Sequence, residues 1–260
     1  MADNKSSAIN DEPIDVLFVL QEKFNLLDFA GPFEALTWAQ HNKDDPCQEA
    51  ATNTALFYVV ATKAFECTIA GAEPKVLSEQ GAMVGSQITY KEAYERLNDF
   101  DVVVIVGGDS DHILNSKAEP LGIIKAYSEL QQKDSARERT LLSICTGALY
   151  LAEAGVLSGL SATTHPDYMT AFENLCSHSA VRDAQERTDV DEEARYVVNN
   201  LRFEIGEEDE NPYVRRKSDA QETRRPSNAR IMVDEECANE VARILQHTWV
   251  KGKVVDGLDV

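Results

Sequence analysis

The stretch Leu141-Leu142-Ser143-Ile144-Cys145-Thr146-Gly147-Ala148-Leu149-Tyr150-Leu151-Ala152-Glu153-Ala154-Gly155-Val156-Leu157 decides the fold. An apolar run ends at a cysteine, and a segment rich in small residues begins. The run reads as a buried strand, and residues 147–157 read as a helix lying close to a sheet. A strand that turns sharply into a helix exposes Cys145 above the carboxyl end of the strands, where open α/β sheets bind ligands. The free N–H groups and partial positive charge of the helix N-terminus are expected to lower the thiol pKa. A thiolate there is a strong nucleophile, and the neighbouring N–H groups can hold a developing negative charge. Spacing alone leaves a second reading open, a small buried cysteine with no chemistry.

Outward from this segment the pattern repeats. Asp101–Val106 (DVVVIV) is the clearest strand and runs into Gly107-Gly108-Asp109-Ser110. Ile14–Leu20 is a further apolar, β-branched run, and residues 55–62 (ALFYVVAT) predict another strand. Helices are expected over 29–42, with Pro32 in the first turn, over 118–132, and over 233–250 with Asp234 as a cap. Residues 67–90 read as short strands and turns punctuated by Gly71, Gly81 and Gly85. Strands alternate with helices, and the strands are apolar throughout. The class is therefore α/β, with a mainly parallel sheet covered on both faces. Residues 1–13 read as a loose polar tail, and 14–260 as one domain with a charged insertion around 182–225. That insertion is a solvated loop, a lid or a subunit contact.

Composition limits the function classes. The chain has 260 residues, of which 43% are hydrophobic, so a sizeable core is available. Twenty-five Lys and Arg against 45 Asp and Glu give a net charge of −20. Such a surface repels phosphate backbones and anionic lipid, which argues against nucleic-acid or membrane partners. No apolar run approaches the roughly 18 residues of a membrane span, and the first residues lack the apolar core of a signal peptide, so a cytoplasmic location is expected. The five cysteines, Cys47, Cys67, Cys145, Cys176 and Cys237, are odd in number, and none forms Cys-x-x-Cys. Neither a disulfide framework nor a zinc site is expected. Cys176 and Cys237 lie in helical contexts and Cys47 and Cys67 in or near loops. His41, His112, His178 and His247 show no ligand spacing.

Other residues point to the same sheet edge. Asp28 follows the first strand in Asn25-Leu26-Leu27-Asp28-Phe29-Ala30-Gly31-Pro32. A carboxyl group beside a thiol can exchange a proton with it, although helix N-capping is an equally ordinary role for such an aspartate. Gly107 and Gly108 permit close backbone approach and offer N–H donors. They belong to neither a phosphate loop nor a dinucleotide fingerprint. His165, in Thr163-Thr164-His165-Pro166, can reach the edge as a ligand-binding group or serve as a structural histidine. No Gly-x-Ser-x-Gly elbow is present.

The segment Ser143 to Gly159, with Ala162-Thr163-Thr164-His165 and the Gly107-Gly108 turn, resembles the cysteine-elbow region of the ThiJ/PfpI superfamily over roughly residues 14–180. The resemblance implies a glutamine-amidotransferase-like, flavodoxin-like three-layer α/β/α sandwich with a cysteine nucleophile elbow. Leu27-Asp28-Phe29-Ala30-Gly31-Pro32 is similar to the isonitrile (isocyanide) hydratase branch, which places an Asp before Gly-Pro. Chaperone and glyoxalase branches commonly carry Glu there. Thr146 follows the cysteine where protease-like members have His, so their Cys-His dyad is missing. The implied mechanism uses Cys145 as nucleophile, Asp28 as proton relay and Thr146 to orient the substrate, with Gly107, Gly108 and His165 lining its site. It needs no metal or organic cofactor. A small-molecule substrate and a homodimer are likewise implied. One departure stands out: the branch's Ala-Gly-Ile-Asp segment is replaced by Ser227-Asn228-Ala229-Arg230-Ile231-Met232-Val233-Asp234, which leaves substrate identity open. Two other functions stay in view, a glyoxalase-type lyase acting on 2-oxoaldehydes and a redox-responsive stress protein whose thiol senses oxidants.

Overall fold

The computed structural model describes residues 12–41, 62–134, 137, 139–199 and 253–255. The chain enters through β1 (Ile14–Leu20) and α1 (Leu26–Trp38). A short antiparallel pair, β2 (Gln40–His41) and β3 (Thr62–Lys63), precedes β4 (Phe65–Gly71). β5 (Lys75–Leu77) and β6 (Met83–Gly85) form a hairpin, and β7 (Ile88–Thr89) leads directly into α2 (Tyr90–Glu95). Next come β8 (Val102–Ile105), α3 (Ser110–Ser116), α4 (Leu121–Lys133), β9 (Thr140–Ser143) and α5 (Gly147–Ala154). β10 (Ser161–Ala162), a 3₁₀ turn at Pro166–Tyr168, α6 (Met169–Asp183), β11 (Asp189–Val190), β12 (Val197–Asn199) and β13 (Lys253–Val255) complete the described elements.

The central sheet has five strands in the order β7-β4-β1-β8-β9, and every pairing is parallel. The three-layer arrangement follows from the strand period of two. Leu17, Val19, Val103 and Ile105 face one core with Ile124 and Tyr127 of α4, Leu149 and Tyr150 of α5, and Phe172 of α6. Val16, Phe18, Leu20, Val102 and Val104 face the other core with Phe29 of α1. In the central strands β1 and β8 both faces are buried, so regular alternation with polar residues is absent there, as the apolar runs predict. The aromatic contacts of α1 fix its position: the Phe29 ring lies 5.6 Å from Phe18 and 5.8 Å from Phe24, both edge to face.

Several boundaries differ from the sequence reading. Of the strand expected at 55–62, residues 55–61 lie outside the described residues, and the neighbour of β1 on that side is β4. Its sequence FECTIAG mixes exposed Glu66 with buried Phe65, Ile69 and Ala70, so it lacks the unbroken apolar run that marks β1. Cys67 accordingly lies in a strand and not in a loop. α1 begins at Leu26, earlier than expected, because the Asn25 side chain caps it by accepting from the Leu27 N–H at 3.1 Å. Asp28 therefore sits inside the first turn, and Asn25 does the capping. α3 and the full extent of α6 had no counterpart in the apolar pattern. The tail to residue 11, the charged segment 204–225, Ser227–Asp234 and the helix expected at 233–250 lie outside the described residues.

Candidate active site

Cys145 occupies the link between β9 and α5 with φ of +56°. A non-glycine residue rarely takes this left-handed conformation, and it persists only where the surroundings impose it. They do so here. The Ile144 N–H donates to Ile105 O at 3.0 Å, and the Gly147 N–H donates back to Ile144 O at 2.9 Å. The Thr164 hydroxyl donates to Cys145 O at 2.9 Å. A Cβ on Gly147 would stand 2.6 Å from Ile105 O, so only glycine lets α5 start this close to the end of β8. The turn predicted from sequence is thus a strained elbow, with the half-buried sulfur at the carboxyl edge of the sheet.

The Gly107–Gly108 turn lies beside it. A Cβ on Gly107 would meet Asp28 Oδ2 at 2.7 Å, Thr146 Oγ1 at 2.8 Å and Ile144 O at 2.9 Å. Those three contacts show how tightly the turn, α1 and the elbow converge. Gly108 has φ of +147°, and a Cβ there would come within 2.2 Å of Lys23 O. The Thr146 hydroxyl accepts from the Gly108 N–H at 2.9 Å and lies 3.0 Å from Gly108 O, to which it can donate. Buried Thr146 therefore fastens the elbow to the glycine turn. The Asn25 N–H donates to Gly107 O at 2.8 Å and ties the start of α1 to the same turn.

Asp28 reaches Cys145 from the first turn of α1 and hydrogen-bonds its thiol. Its Oδ2 is buried with no hydrogen-bond partner among the described residues. Burial raises the carboxyl pKa above its usual value, while the Cys145 hydrogen bond and the nearby His165 oppose that rise. The thiol is not activated at rest. Burial, followed by the Asp28 charge, pushes it up to about 11, against the opposing N–H and hydroxyl of Thr146. This reverses the expectation of a lowered pKa. A helix N-terminus acts on a side chain through a few partial charges, whereas desolvation and an adjacent carboxylate act on the sulfur together.

His165 stands at the rim. Its side chain is 43% exposed, and its Nδ1 accepts from the Asp167 N–H at 3.2 Å, which places the proton of the neutral ring on Nε2. It caps the 3₁₀ turn while remaining close enough to influence Asp28. Asp28, Gly107, Gly108, Cys145, Thr146 and His165 therefore gather at one edge, although no single sequence segment holds them. Two participants escaped the sequence reading. Thr164 holds the Cys145 carbonyl, and Gln21 donates to Val106 O at 2.9 Å and Gly107 O at 3.3 Å. Gln21 follows an apolar run and reads only as the residue that ends a strand. Among the described residues no group of three or more His, Cys, Asp or Glu is placed to hold a metal ion, and no helix is long and apolar enough to cross a membrane.

Comparison with known proteins agrees with this architecture. A ThiJ/PfpI family protein from Pseudomonas syringae superposes with a TM-score of 0.54 at 16% identity, covering 92% of this chain and 77% of that one. Drosophila melanogaster DJ-1beta gives 0.51 at 16% identity, covering 92% of this chain and 100% of that one. An AraC family transcriptional regulator from Pseudomonas putida gives 0.50 at 15% identity, covering 90% and 100% respectively. At these identities the likeness is one of fold. No match is found among curated proteins. Residues 15–193, which contain every site residue named above, match the DJ-1/PfpI family, and the chain belongs to that family.

Proposed function

We propose that the protein is an isonitrile hydratase-like lyase that converts an isonitrile to an N-substituted formamide without a cofactor. The observation that carries this reading is the Asp28 carboxyl hydrogen-bonded to the Cys145 thiol at a strained elbow. A thiol held at about 11 needs a base at the moment of attack, and a buried carboxylate of raised pKa is a stronger base than an exposed one.

The sulfur of Cys145 attacks the terminal carbon of the isonitrile while its proton passes to Asp28. Asp28 returns that proton to the same carbon, giving a thioimidate in which carbon is bonded to sulfur and doubly bonded to nitrogen. Water then adds across the carbon–nitrogen bond: its oxygen joins carbon and a proton reaches nitrogen. Collapse of the adduct forms the formamide C=O and breaks the C–S bond. The sulfur regains a proton through Asp28, and the thiol is restored. Overall, one water is added and no electrons are transferred. Thr146 keeps its N–H against the sulfur through its bonds to Gly108. We take the working form to be a cytoplasmic homodimer.

The test is hydration of an aryl isonitrile, followed by formamide absorbance, with wild type and Cys145→Ala side by side. Turnover by wild type alone supports the hydratase reading and the nucleophile together. Turnover by Cys145→Ala sinks the covalent route. With no isonitrile turnover in either, a 2-oxoaldehyde is the next substrate to assay. The protonated resting thiol counts against oxidant sensing, which uses thiolate.

A further inference from the structure

We propose that Gln21 is a positioning residue for Cys145, its buried carboxamide clamping the Gly107–Gly108 turn that holds both partners of the thiol. Gln21 stands one residue past β1. The strand period carries it to the face shared by Leu17 and Val19, opposite α1. It is 2% exposed. Its Nε2 donates to Val106 O at 2.9 Å and to Gly107 O at 3.3 Å. Its Oε1 has no hydrogen-bond partner among the described residues, and the fully buried Tyr150 hydroxyl lies against the Gln21 side chain and interacts with it. Burying a carboxamide with an unused acceptor is costly, so core stability alone favours an apolar side chain of this size. Its two donated bonds do something an apolar residue cannot, which is to fix carbonyls that no strand ladder holds.

Those carbonyls control both sides of the sulfur. Gly107 O also accepts from Asn25, the cap of the helix that carries Asp28, and Gly107 abuts Asp28 Oδ2. Gly108 holds the Thr146 hydroxyl in both directions. That hydroxyl has one proton and two acceptors within reach, Gly108 O and the Cys145 sulfur. The position of the turn therefore decides how well Thr146 can serve a developing thiolate and where Asp28 meets it.

The inference rests on Cys145 as the reactive group but not on the isonitrile, so its test uses no substrate. The rate of Cys145 alkylation by iodoacetamide is followed against pH by peptide mass spectrometry on the full chain. Cys176, 1% exposed, reports any general loosening. Gln21→Met is expected to slow Cys145 alkylation at pH 8 by about tenfold and to move its titration upward, with Cys176 still protected. Gln21→Glu keeps the length but donates only while protonated. It is expected to track wild type in acid and fall behind as the new carboxyl ionises. A folded Gln21→Met protein with the wild-type profile overturns the proposal, as does a slowing accompanied by Cys176 alkylation. If Gln21→Met does not fold, the Gln21→Glu profile decides, and one parallel to wild type overturns it. Failure of both variants to fold makes Gln21 a stability residue and overturns it too. A failed isonitrile assay beside a shifted alkylation profile rejects the substrate and keeps the clamp.

Discussion

The two ends of the central sheet treat charge in opposite ways. At the amino end, Arg137 grips Asp101 at 2.9 Å and donates to the carbonyls of Asn98 and Asp99. Asp101 Oδ2 accepts from the Asp15 N–H at 3.1 Å, and Arg139 donates to Asn98 Oδ1 at 2.8 Å. At the carboxyl end, Asp28 Oδ2 and Gln21 Oε1 are buried without hydrogen-bond partners among the described residues, and Cys145 is held at positive φ. One end closes the fold by pairing most of its polar groups, although Arg139 Nε is buried without a hydrogen-bond partner among the described residues. The other keeps a thiol, a carboxyl and a left-handed backbone in unfavourable states that reaction chemistry can use. A site and a fastening thus occupy opposite ends of the same strands.

Four substitutions sharpen or break that contrast. Cys145→Ala at the carboxyl end is expected to cut isonitrile turnover by about 10⁴-fold or more, measured as kcat/KM, with the fold retained. Asp28→Asn is expected to lower kcat by about 10²- to 10³-fold through loss of the proton relay. The same change should raise Tm at neutral pH. Burial lifts the folded-state pKa of Asp28 above its unfolded value, so its contribution to stability is complete below the ordinary carboxyl range and is lost as pH rises through the raised value. For catalysis the sign is opposite: kcat of wild type should climb with pH as Asp28 ionises, so its acid limb should lie above the ordinary carboxyl pKa. An Asp28→Asn protein that is both fully active and no more stable would erase the contrast.

Gly108→Ala would force a Cβ to 2.2 Å from Lys23 O at φ of +147°. A loss of about 2–4 kcal/mol in denaturant unfolding is expected, because backbone cannot yield as a side-chain tip can. Arg137→Ala at the amino end is expected to lower stability by about 1–2 kcal/mol and to leave kcat/KM unchanged. A change in turnover from that end would mean the two edges are coupled.

Local chemistry explains which features were legible. β1 and β8 are largely apolar runs in a parallel sheet and register in sequence because both of their faces are buried, whereas β9, an edge strand with Leu142 exposed, registers through its two leucines before the cysteine. Cys145 stood out because a strand stopped and small residues followed. β4 registered only within the short strands expected over 67–90, without its start or full length, because Glu66 and Thr68 interrupt it, and the α1 boundary shifted because Asn25 rather than Asp28 takes the cap. The Cys145 pKa was expected to fall and instead rises, since its largest cause, burial, exists only when the layers are assembled.

The sequence alone determined that this chain builds a parallel α/β sheet with a cysteine at a strand-to-helix turn, because hydrophobic period and glycine placement act over a few neighbouring residues. Only the tertiary structure decided that Asp28, from the first helix, meets Cys145 more than a hundred residues later, and that Gln21 reaches under the glycine turn between them. Those meetings depend on parallel strand order and on the depth at which each side chain is buried, and neither is written in any local stretch of the chain.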